Sequence, residues 1–128
     1  MSVLRGLGKV NPATTALFLC DMQVKFRPNI VQFDNIVANS ARVVAAARLL
    51  GLPILASEQY PKGLGPTVPE LKLAELDITA HSKTCFTMAI PALLDQLRTA
   101  QPGTRCCVRV CSARLLQHCL QVCDPVRY

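Results

Sequence analysis

Apolar residues run unbroken from Ala16 to Cys20, Ala-Leu-Phe-Leu-Cys, and stop at Asp21. A continuous apolar run of strand length predicts a strand covered on both faces, as in a parallel sheet. Beyond Phe26-Arg27-Pro28 the period changes. Ile36, Val43, Ala47 and Leu50 recur at helical spacing while Asn35, Asn39 and Arg42 share another side, which predicts a long helix capped by Asp34. Gly51 is its natural stop. Residues 53–57 then read as a second short apolar strand. The order strand, helix, strand predicts a right-handed parallel crossover, and with it an α/β fold.

The pattern breaks over residues 58–69, where Pro61, Pro66 and Pro69 with Gly63 and Gly65 cannot propagate a helix or a central strand. A stiff loop over the end of the sheet that carries Asp21 is expected. By residue type it is a plain surface crossing. Gly63-Leu64-Gly65 lacks the third glycine and the strand-to-helix setting of a dinucleotide fingerprint. Residues 78–86 read as a third strand containing Lys83. Residues 88–97 read as a helix with Pro91 in its first turn. Gln101-Pro102-Gly103 is a turn. Residues 106–110 alternate as a fourth strand, and Ser112 would cap a short helix using Leu115, Leu116, Cys119, Leu120 and Cys123, stopped at Asp124-Pro125.

Composition narrows the class. With 128 residues, 51% hydrophobic and without Trp, the chain fits one globular domain with a core of Leu, Val, Ala and Ile. Arg42, Arg48, Gly51 and Pro53 interrupt the richest apolar segment, so no membrane span and a soluble protein are expected. Arg5 and Lys9 precede the first acid, Asp21, which leaves an organelle-targeting reading open and gives no secretory signal. The net charge of +6 comes from 14 basic and 8 acidic side chains scattered along the chain. Without a basic stripe interleaved with aromatics, no nucleic-acid partner is expected. The seven cysteines are uneven, with five after Gly103. An odd count and a globular core argue for reduced thiols in a cytoplasmic setting, with mitochondrion or nucleus as the other settings.

Asp21 at a strand tip and Lys83 within Ser82-Lys83-Thr84-Cys85-Phe86 could form a proton-transfer pair. By residue type alone, Asp21 could equally be a capping or loop acid and Lys83 a solvated lysine. These two stretches, with residues 58–70 between them, resemble the isochorismatase-like cysteine hydrolases in the family's order, from about Leu17 to about Leu97. The resemblance implies a three-layer α/β/α, Rossmann-like parallel sheet, incomplete toward the C-terminus. It also implies Asp21 as general base and Lys83 as the cation that stabilises developing charge, with no cofactor and no metal. For the loop over residues 58–69 it implies a substrate-covering or subunit-contact role. The family's third member, a Cys after a strand and a Gly-centred turn, has no counterpart here. Cys111 by electrostatics and Cys119 by count are its nearest surrogates, and Cys85 reads as a small core residue.

The expected function is that of a hydrolase homologue acting on a small-molecule amide or a vinyl ether, weakly active or inactive as a truncated form, with self-association possible. The alternative is a non-enzymatic fragment that pairs with a full-length relative, or a Zn-binding tail built on Cys107, Cys111, Cys119 and Cys123 beside His118. Cysteine and arginine crowding divides the chain into residues 1–103, the hydrolase-like part, and residues 104–128, a divergent tail. Codons for Arg105-Cys-Cys-Val-Arg109 can, one base later, give Ala-Val-Val-Phe-Gly, so an alternative splice or a shifted frame is the favoured origin of that tail.

Overall fold

A computed structural model describes residues 10–104 and 106–112. Four strands alternate with helices: β1 (Thr15–Cys20), α1 (Phe33–Leu49), β2 (Ile54–Gln59), the single turn α2 (Pro61–Leu64), β3 (Ala80–Lys83), α3 (Pro91–Ala100) and β4 (Cys106–Cys111). All neighbouring strands are parallel, in the order β3-β2-β1-β4. This is the α/β sheet that the strand and helix periods predict.

β1 is buried along its whole length because it lies inside the sheet with a helix on each side. Leu17 and Leu19 pack with Phe33, Val37, Val44 and Ala47 of α1. Ala16, Phe18 and Cys20 face the other way, against Met88 and against Leu93 and Leu97 of α3. The result is three layers, α/β/α. Each fully buried Leu or Phe contributes about 1.5–3 kcal/mol of transfer free energy, so this strand anchors both layers.

Several boundaries differ from the sequence expectation. The face of α1 turned to the sheet is Phe33, Val37, Ser40, Val44 and Ala47, whereas Val43 and Leu50 are exposed. Phe33, the largest apolar side chain of the helix, sets that rotation, and the Ser40 hydroxyl is satisfied by donating to Ile36 O at 2.6 Å. Asp34 is not the cap: Gln32, in the left-handed region, holds that position. Asp34 lies within the first turn and pairs with Arg27 instead. β2 continues through Glu58 and Gln59 because their backbones pair with Ser82 and Lys83 of β3. β3 is only four residues long, since the chain turns back immediately after Lys83. Gly51 ends α1 with φ +69°, as a C-terminal glycine should. Pro91 opens α3 at its first turn. The helix expected after Ser112 lies outside the described residues.

Candidate active site

β1 hands the chain to Asp21 at a sharp bend. Asp21 has φ +54°, a left-handed conformation that is uncommon outside glycine but tolerated by Asp. The bend is held on both sides of the peptide: Asp21 N donates to Ser57 O at 3.2 Å, and Asp21 O accepts from Gln23 N at 3.0 Å. Asp21 O also accepts from the Ser112 hydroxyl at 2.9 Å. The strained residue therefore sits at the tip of β1, between β2 and the segment leaving β4. That is the crevice beyond the strand ends of an open α/β sheet.

The carboxylate is as closely held as the backbone. Ser57 Oγ donates to Oδ1 at 2.8 Å, and Lys83 Nζ donates to Oδ2 at 2.9 Å. The Lys83 side chain is 1% exposed. Its other two contacts run to Gln59 Oε1 and to the Cys85 carbonyl, both at 2.9 Å. Three acceptors thus meet the three protons of an ammonium group. Without them a charge this deep would not be tolerated. Asp21 and Lys83, 62 residues apart, are brought together.

A third residue fixes this frame from below. Gln23 is fully buried and its amide makes three bonds, donating to Gln59 O at 2.9 Å and Gly65 O at 2.8 Å and accepting from Gln59 N at 2.7 Å. It ties the end of β2 to the loop that follows. Glu58 secures the far end of that loop, its Oε1 accepting from both Thr67 N and Thr67 Oγ1 at 2.8 Å. Gly65 is required where it stands: φ is +76°, and a Cβ there would lie 2.7 Å from Val24 Cγ2.

On the opposite flank the groups are sulfur and hydroxyl. Cys20 Sγ lies 3.5 Å from Asp21 Oδ2. Its register partner at the end of β4 is Cys111. The Cys111 thiol, burial, and the neighbouring Asp21 carboxylate all push the Cys20 thiol well above its ordinary range, so near neutral pH it stays protonated. Cys85 is exposed, not a core residue, because the turn after Lys83 that folds the Cys85 carbonyl back onto Nζ points the side chain outward. Cys119, Cys123 and His118 fall outside the described residues, and with them the metal reading. Among the described residues no cluster of His, Cys, Asp and Glu suits a metal, and no helix is long and apolar enough to cross a membrane.

The Isochorismatase domain family matches residues 15–104, most of the chain. The chain belongs to the isochorismatase family. Isochorismatase domain-containing protein 2A of Mus musculus is 55% identical over 91 residues, 71% of this chain and 43% of the relative. The structure of MAR1 ribonuclease from Caenorhabditis elegans superposes with a TM-score of 0.71 at 41% identity, over 81% of this chain and 53% of the other. The YcaC gene product of Escherichia coli, described as an octameric hydrolase of unknown specificity, shares the fold at 19% identity and a TM-score of 0.63, covering 80% of this chain and 52% of that one. The chain spans about half the length of the curated relatives it matches.

In this isochorismatase-family chain, sequence reasoning missed Ser57, Gln59 and Gln23. Ser57 looked like the end of an apolar strand, and Gln59 like the start of a loop. The available signal was positional: polar side chains at the C-terminal tip of a parallel strand, and a glutamine two residues after the strand-end acid.

Proposed function

We propose that this chain is an isochorismatase-like hydrolase homologue in which Asp21 moves protons and Lys83 offsets developing negative charge, on a small-molecule amide or vinyl ether. The observation that carries the reading is the Asp21–Lys83 contact of 2.9 Å, buried at the carboxyl end of a parallel sheet. Asp21 Oδ2 is the proton-accepting atom, able to take a proton from an attacking water and return it to the leaving group or to a vinyl-ether carbon. The Lys83 ammonium, already oriented, contributes charge stabilisation without reorganising. Turnover should be weak, because the thiol nearest the carboxylate, Cys20, is held in its unreactive protonated form. Self-association is part of the same proposal, supported by the octameric YcaC fold relative and by the outward Phe86, 95% exposed.

The test is hydrolysis of a panel of small primary amides and vinyl ethers by the purified chain, with a fluorogenic RNA included because the Caenorhabditis elegans neighbour is called a ribonuclease. Weak turnover of a small molecule that falls at least about 100-fold in Asp21→Asn, with the fold intact by circular dichroism, is the expected result. Turnover unchanged in Asp21→Asn, cleavage of RNA alone, or binding without turnover would overturn it.

A further inference from the structure

The Cys20–Cys111 pair takes no step in the hydrolytic reading. Cys20 and Cys111 are directly paired across the parallel β1–β4 ladder. Neighbouring strands lie about 4.8 Å apart, inside the range of about 4.4–6.8 Å that Cα atoms span in disulfides. Both side chains lie on the α3 face of the sheet, where Cys111 packs against the cluster that contains Cys20. Neither thiol is in a disulfide. They differ in access: Cys20 is 3% exposed, whereas Cys111 is partly exposed.

We propose that Cys111 and Cys20 form a peroxide-oxidisable dithiol, in which Cys111 meets the oxidant and Cys20 resolves it to a disulfide beside Asp21. Cys111 Sγ attacks one oxygen of hydrogen peroxide, the O–O bond breaks, and Cys111 becomes a sulfenic acid while the other oxygen leaves as hydroxide. Cys20 then gives its proton to Asp21 Oδ2, 3.5 Å away, and attacks the Cys111 sulfur. An Sγ–Sγ bond forms and a second hydroxide leaves. The two thiol protons neutralise the two hydroxides, so two thiols and one peroxide give one disulfide and two waters. Burial keeps Cys20 unreactive toward the oxidant itself, and proximity makes it the group that intercepts the sulfenic acid.

The site shares Asp21 with the hydrolytic reading, but its test needs no hydrolysis. The full chain, reduced and then treated with one equivalent of hydrogen peroxide, is alkylated, digested with trypsin and mapped by mass spectrometry. Cys20 falls in the tryptic peptide of residues 10–25 and Cys111 in that of residues 110–114. These two peptides joined by a disulfide should be the main oxidised form of Cys20. In Cys20→Ala the Cys111 sulfenic acid, lacking its resolving thiol, should go on to sulfinic acid about tenfold more than in the parent chain. Cys20 recovered unmodified while Cys111 is over-oxidised or bridged to another cysteine would overturn the proposal. That parent-chain result decides the question even if Cys20→Ala does not fold.

Discussion

At the tip of β1 the two flanks are built of different materials. Toward β2 and β3, Asp21 meets Ser57 and Lys83, and Lys83 in turn meets Gln59, so that the charged pair is tied into one hydrogen-bonded set. Toward β4 it meets Cys20 and Ser112, with Cys111 behind. The difference teaches that a full charge in a buried site dictates its neighbours, whereas neutral groups do not. Lys83 needs three acceptors within reach, and the chain supplies them from β1, β2 and the turn after β3. A thiol or hydroxyl loses far less when one contact goes.

The contrast breaks most visibly at Lys83. Lys83→Met leaves the Asp21 carboxylate, Gln59 Oε1 and the Cys85 carbonyl without their shared donor, and should lower unfolding stability in urea by about 3–5 kcal/mol. Gln23→Leu, which keeps the volume but removes three bonds beneath the same flank, should remove about 2 kcal/mol or more and speed proteolysis within residues 60–67. Ser57→Ala takes one charge-assisted bond from Asp21 and should lower stability by about 1.5–3 kcal/mol, read in the same urea titration. On the soft flank, Ser112→Ala should remove only about 1 kcal/mol. A larger loss for Ser112→Ala than for Ser57→Ala would dissolve the distinction between flanks.

The smallest effect is at the surface, where Arg27 bridges Asp34 and Glu70. The backbone N–H of Glu70 and then the Arg27 guanidinium hold the Glu70 carboxyl below the usual carboxylate range. Its contribution is therefore present above that range and is lost as pH falls through the lowered value. In Arg27→Ala the NMR titration midpoint of Glu70 should move upward, with little change in overall stability because the pair is solvated.

What could be read from the chain followed from its strongest periodicities. The apolar run of β1 and its abrupt end at Asp21 place a carboxylate at a strand tip, because a run of strand length that stops at an acid fits a strand covered on both faces. Lys83, between Ser82 and Thr84, carried no such pattern and was legible only through the family resemblance of its stretch. The residues that make the pair tolerable were not. Ser57, Gln59 and Gln23 acquire meaning only when β2 and β3 pair through Gln59 and Lys83, a long-range register that local pattern does not encode. The rotation of α1 was misread in part: of the expected stripe Ile36, Val43, Ala47 and Leu50 only Ala47 is buried, because Val37 and Val44 with Ala47 form as regular a stripe. Phe33 decides between them through contacts the sequence does not show.

Lys83 has one further property. An ammonium has three protons to offer, and here all three are engaged. Any oxygen that comes to Nζ must arrive as a replacement. The Cys85 carbonyl can leave only if the backbone after β3 moves, whereas the Gln59 side-chain amide can withdraw by a rotamer change while Gln23 keeps its backbone in place. Ligand capture at Nζ is then an exchange reaction against a neutral amide, and its equilibrium depends on the difference between two acceptors. A charge-assisted acceptor such as a carboxylate would compete with the neutral Gln59 amide better than a neutral oxygen would, so basicity would weigh in that exchange beside shape.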